Sequence, residues 1–143
     1  MANFAKTVLV DSGFWYALYN KGDGYHEQAQ TKQELLENVN VLIPWPVLYE
    51  TLNSRFAKNN VGLRSFDVLL RQGHVIRFPD EAYRDAALEA CFQMALKQLR
   101  PIALVDMVIR LIVEDRNVRK HGLLTFNSRD FVDVCTRYRI EML

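Results

Sequence analysis

The chain has 143 residues, 50% of them hydrophobic, with 18 Lys and Arg against 17 Asp and Glu and a formal net charge of +1. That length suits one domain over residues 1–143, because compact domains commonly hold roughly 100–200 residues, and the apolar share is enough for a packed core. A near-neutral balance with 24% charged residues excludes a disordered chain and a protein drawn to nucleic acid or membrane by bulk charge, so a polyanion would have to meet local patches.

Met1 to Lys6 leads into Val8-Leu9-Val10 and meets Asp11 at once. The apolar run is too short for a signal segment or a membrane span and reads as a first strand, with no membrane association expected. Phe14 to Tyr19 begins a helix packed behind it. Asp23-Gly24 precedes a helical stretch in which Tyr25, Ala29, Leu35 and Leu36 share a face, and Val41-Leu42-Ile43 before Pro44 is a second strand. From Pro46 a continuous helix is expected through Val47, Leu48, Leu52 and Phe56, followed by an amphipathic helix from Leu63 to Leu70 that ends at Gly73. Val75 to Phe78 is a third strand by composition, after which Tyr83, Ala87, Ala90, Cys91, Met94 and Leu99 recur at helical spacing.

The next helix is predicted from near Ala103, burying Val105, Val108, Ile109, Ile112 and Val113 and leaving Arg110, Glu114 and Arg116 toward water. Gly122 to Phe126 is a fourth strand, Asn127 to Asp130 a turn into a short helix, and Tyr138 to Met142 a last strand. Short strands alternating with helices imply an α/β sandwich with a mostly parallel sheet, since parallel neighbours need crossovers. Such sheets bind ligands beyond the carboxyl ends of their strands. Cys91 and Cys135 form no C-x-x-C pair, which disfavours a disulfide scaffold or zinc knuckle and suits a reducing cytoplasm. His26, His74 and His121 lack metal-ligand spacing and read as surface or loop residues.

Four acids stand out. Asp11 and Asp130 follow strands and can reach one sheet edge, whereas Glu50 and Asp106 lie inside apolar helix segments. An acid so flanked turns outward or is held by a cation or hydrogen bonds. Two carboxylates about 4 Å apart repel by roughly 4 kcal/mol at an effective dielectric near 20, so four converging acids require compensation. Oxygen donors without His or Cys select hard ions such as Mg²⁺ or Mn²⁺.

The blocks Val8–Phe14, Pro46–Asn53, Leu104–Ile109 and Leu124–Phe131 resemble, in order, the four acidic blocks of the PIN-domain ribonucleases, many of them toxins of the VapC type. The resemblance implies a PIN-like three-layer α/β/α sandwich and a metal-dependent endoribonuclease cutting RNA phosphodiester bonds. It also implies an antitoxin partner and a homodimer, for which apolar surface near Phe14 to Tyr19 and along Leu63 to Leu70 is the expected contact. By position, Asp11, Glu50, Asp106 and Asp130 would be both the catalytic and the metal-binding set. Asn127, where many relatives carry Asp, brings an amide oxygen but no charge, and Thr125 would orient a water or carboxylate. Rim cations would be Arg55, Lys58, Arg64, Arg100, Arg110 and Arg129, with Tyr49 or Phe126 stacking a base.

Other readings stand beside these. Each acid taken alone serves equally well as a helix cap or a first-turn charge. A non-catalytic PIN-like module that binds RNA or protein is the alternative function. A phosphatase with a strand-end Asp nucleophile is the third, disfavoured by Gly13 where a D-x-D pair needs an acid. Gly22-Asp23-Gly24 lacks the context of a dinucleotide or triphosphate loop.

Overall fold

The computed structural model describes residues 4–97 and 100–143. Five strands, β1 (Thr7–Val10), β2 (Asn40–Pro44), β3 (Val75–Phe78), β4 (Gly122–Leu124) and β5 (Glu141–Met142), form one sheet in the order β3-β2-β1-β4-β5 with every pair parallel. The register sets Leu9 opposite Leu42 on one side and opposite Leu123 on the other. Central β1 is buried along its whole length, which is why Thr-Val-Leu-Val shows no polar alternation.

Between β1 and β2 lie α1 (Ser12–Tyr19), α2 (His26–Gln33) and a 3₁₀ turn over Glu34–Asn38. α3 (Trp45–Thr51), α4 (Ser54–Ala57) and α5 (Asn60–Leu70) join β2 to β3. α6 (Arg84–Leu96) and α7 (Leu104–Glu114) join β3 to β4, and α8 (Val132–Tyr138) joins β4 to β5. The order reverses at β1, so right-handed crossovers place α1 to α5 on one face and α6 to α8 on the other, making the three layers expected. No helix among the described residues is long and apolar enough to cross a membrane.

Several boundaries depart from the sequence reading. The helix expected from Pro46 through Phe56 is broken: Leu52 leaves helical geometry and the Asn53 side chain accepts from the Phe56 amide at 3.0 Å, starting α4 afresh. α5 begins three residues before Leu63 because Asn59 caps it through the Gly62 amide. β4 stops at Leu124, two residues short of Phe126. The last strand starts at Glu141 rather than Tyr138, because α8 runs through Tyr138 and Arg139 takes the left-handed conformation at φ 58° that ends it. Val105 is only half-buried, and Met107 is buried with Val108, Ile109, Ile112 and Val113. Leu99 lies outside the described residues.

The surface expected to serve a dimer near Phe14 is core instead. Phe14, Trp15, Ala17 and Leu18 are buried, and Trp15 packs on Phe66 of α5 with ring centroids 5.3 Å apart. The apolar face of α1 is therefore spent against α5. The histidines are half-buried rather than free: His26 Nδ1 lies 2.7 Å from the Ala17 carbonyl, and His121 Nδ1 accepts from the Thr7 amide at 3.0 Å.

Candidate active site

β1 and β4 are the strands at which the order reverses, and their carboxyl ends deliver Asp11 and Thr125 side by side. Asp11 is 5% exposed. Its Oδ1 accepts from the Ser12 amide at 2.7 Å, capping α1, while its Oδ2 accepts from Thr125 Oγ1 at 3.0 Å. Cap and site roles thus share one carboxylate, one oxygen each. Thr125 Oγ1 in turn accepts from the Asn127 amide at 2.9 Å, fixing the turn after β4.

Glu50 projects from the last turn of α3 and is exposed as a residue, the outward turn that is one of the two outcomes open to an acid among apolar neighbours. Its Oε1 accepts from Ser12 Oγ, which also lies 3.4 Å from Asp11 Oδ1. Tyr16 donates its hydroxyl to the Glu50 carbonyl, tying α1 to α3. Ser12 and Tyr16 escaped the sequence reading, although their spacing of four puts both on the side of α1 that starts at Asp11.

Asp106 stands in the first turn of α7, where the helix dipole favours its charge. Burial nevertheless pushes its carboxyl up to about 7, and the negative charges of Asp11, Glu50 and Asp130 add to the shift. Asp11 is also raised, first by burial and further by Glu50, against the lowering effect of its Ser12 and Thr125 bonds. Four segments far apart in sequence therefore place carboxylates within electrostatic reach of one another. Asp130 does not cap the following helix, since α8 has no side-chain cap. Its Oδ2 instead accepts from Asn127 Nδ2 at 2.6 Å, and its Oδ1 lies 3.3 Å from Arg100 Nη2.

The donors fit a hard divalent cation in kind: all are oxygens, and the repulsion that adds to burial in raising Asp106 is a charge imbalance a cation would relieve. In the observed conformation, however, no three His, Cys, Asp or Glu side chains among the described residues close round a single point. Asp130 is held by Arg100 and Asn127, and Glu50 by Ser12.

Two of the expected rim cations are spent internally. Arg100 pairs with Asp130, and Arg110 makes a fork to both oxygens of Asp133 at 2.7 and 2.8 Å while also donating to the Asp130 carbonyl. Phe126 is not open to a base, because Tyr25 stacks on it at 4.6 Å and Lys32 Nζ sits 5.2 Å from its centroid. Tyr49 is 72% exposed.

No family model matches the sequence, and no curated protein sequence does. Solved structures do. The crystal structure of Mycobacterium tuberculosis VapC20, a toxin that cleaves the sarcin-ricin loop, matches with a TM-score of 0.68 at 19% identity, covering 88% of this chain and 94% of that one. The chain has the VapC fold. VapBC2 of Rickettsia felis, whose crystal structure holds a DNA fragment from its promoter, matches at a TM-score of 0.59 and 18% identity over 96% of this chain and 97% of that one. At such identities the VapC fold is carried by topology and core pattern, and the side chains at the strand ends have to be argued residue by residue.

Proposed function

We propose that this protein is a ribonuclease that hydrolyses RNA phosphodiester bonds with Mg²⁺ or Mn²⁺ and acts in the cytoplasm as the toxin of a type II toxin–antitoxin pair. The observation that carries this reading is Asp106, pushed up to about 7 first by burial and further by the charges of three acids from separate segments. A fold does not hold a buried acid among like charges for stability, and an acid so perturbed is a functional signal. The fold match to VapC20, a toxin that cleaves RNA's sarcin-ricin loop, and to VapBC2 supports the nuclease and antitoxin parts.

Asp11, Glu50, Asp106 and Asp130 would hold the ion, with Asn127 offering a neutral oxygen. When bound, the ion would lower the pKa of a water and offset charge on the scissile phosphate. The chain's own residues prepare for this. Ser12 stands between Asp11 and Glu50, donating its hydroxyl to Glu50 and its amide to Asp11. Thr125 fixes the second oxygen of Asp11. Asp106 holds a proton at its carboxyl near neutral pH, so loading the site competes with that proton and strengthens as pH rises.

Asp11→Asn and Asp106→Asn, each assayed on a total RNA pool in Mg²⁺ and in Mn²⁺, should show no cleavage. Cutting at the unsubstituted rate by either variant would end the nuclease reading. Asn127, which gives its amide to Asp130 instead of adding a charge, favours a second reading as a non-catalytic module. Calorimetric saturation with Mn²⁺, and no cleavage of any RNA by the unsubstituted protein, would select it.

A further inference from the structure

A cleft of about 850 Å³ opens from Asp11 and Gly13 and is lined further out by Asn20, Tyr25, Arg55 and Phe126. Its size is that of a small-ligand site, and the carboxylate chemistry uses only its inner end. Three features point to what it holds.

First, the Phe14 ring is followed by Phe126 at 6.2 Å and 26°, and Phe126 by Tyr25 at 4.6 Å and 7°. The stack starts in the core and ends in Tyr25, which is 47% exposed, leaving the position of a further planar layer open. Second, among the described residues the Arg55 guanidinium takes part in no ion pair or hydrogen bond, whereas Arg100 and Arg110 are both held by carboxylates. The carboxylates on the cleft are Asp11 and Asp23, and an oxygen of Asp23 is engaged by the Tyr25 amide. Third, Asn20 turns its oxygen to the Gly22 amide at 3.0 Å, which leaves its amide nitrogen, a two-proton donor, available to a ligand edge. Beside Asp11 the floor is clear, since a Cβ built on Gly13 meets nothing within 4 Å.

An aromatic end-layer, one free guanidinium and an amide donor are the groups that take a base, its phosphate and its hydrogen-bonding edge. We propose that this cleft binds one unpaired nucleotide of the RNA next to the bond that is cut, its base stacked on Tyr25 and its phosphate at Arg55. The identity of the strand as RNA rests on the nuclease reading above. One cation beside two acids suits a single splayed nucleotide and not a long strand or a duplex.

The test is equilibrium binding of a fluorescent single-stranded pentaribonucleotide in EDTA, where nothing is cut, run beside cleavage of the same strand in Mn²⁺. Tyr25→Leu should weaken binding by at least about fivefold and Tyr25→Phe by less than about twofold, as stacking requires. Arg55→Gln, an exposed substitution, should weaken binding and lower the slope of log Kd against log salt by about 0.7. In Mn²⁺, Tyr25→Leu should raise KM more than it lowers kcat and relax the base preference beside the cut. Equal affinity of all four proteins, or weakening by Tyr25→Leu that Tyr25→Phe does not rescue, would overturn the cleft as a nucleotide site even if cleavage persists. Binding that depends on Tyr25 and Arg55 without any cleavage would uphold the cleft and sink the nuclease reading instead.

Discussion

Thr125 Oγ1 donates to Asp11 Oδ2 across 3.0 Å, joining the carboxyl ends of adjacent strands from residues 114 apart in sequence. Both groups are buried. The bond favours the charged form of Asp11 against the burial that opposes it, adding to the bond from the Ser12 amide.

Thr125→Val keeps the volume and removes the hydroxyl. Because hydrogen bonds to charged groups contribute about 1.5–3 kcal/mol, urea unfolding at pH 8 should show a loss of that order, and RNA cleavage should fall in parallel. Thr125→Ser should recover most of both. An unchanged unfolding midpoint for Thr125→Val would show that this bond does not support Asp11.

Asp106 sets a pH dependence of stability. Its carboxyl is near 3.8 when unfolded and about 7 when folded, so between those values the folded chain holds the extra proton. Stability from this group is complete below about pH 4, declines as pH rises, and is lost above about pH 7. The melting temperature in EDTA should therefore fall from pH 5 to pH 8, and Asp106→Asn should flatten the fall. Mn²⁺ at pH 8 should restore the unsubstituted protein more than the variant. Identical slopes for the two proteins in EDTA would count against the coupling of Asp106 to Asp11, Glu50 and Asp130.

The order of elements and the sheet edge that carries Asp11 and Thr125 were legible in the sequence because both depend on local pattern. A β-branched run ending at Asp11, and apolar spacing across Val108, Ile109 and Ile112, say which side is buried. What pattern does not encode is partner choice among side chains. Arg110 and Arg100 read as free cations until the turn after β4 brings Asp133 and Asp130 to them. Phe14 to Tyr19 read as offering apolar surface to a dimer because Phe66, the packing mate of Trp15, lies about a third of the chain away. The break at Leu52–Asn53 was hidden for a similar reason: helical spacing continues through it, and only the side-chain bond of Asn53 to Phe56 reveals a new start.

Arg110 clamps α7 to the segment after β4 through its fork to Asp133 and its bond to the Asp130 carbonyl. Asp133 is held at about 2, first by the Arg110 hydrogen bond. Lysine cannot reproduce a planar fork, so Arg110→Lys should shift the position of Asp130 while keeping the charge. The expected result is a reduced kcat for RNA cleavage, and the charge-removing Arg110→Gln should leave the salt dependence of RNA binding unaltered, since this cation is already neutralised within the protein. A shallower salt slope would mean that Arg110 does contact phosphate.

Phe66 is fully buried against Trp15, Tyr19 and Phe56, so this aromatic cluster, not a subunit contact, accounts for the apolar face of α1. Truncating a buried aromatic to alanine costs about 3–5 kcal/mol, the lost transfer energy plus the cavity left behind. Phe66→Ala should therefore lower the urea midpoint strongly, and by the same amount at protein concentrations a hundredfold apart. If α1 and α5 instead formed a dimer interface, the destabilisation would grow on dilution and sedimentation would show the variant dissociating before it unfolds. A concentration-independent loss with unchanged sedimentation of the folded variant is the outcome that the packing of Trp15 on Phe66 requires.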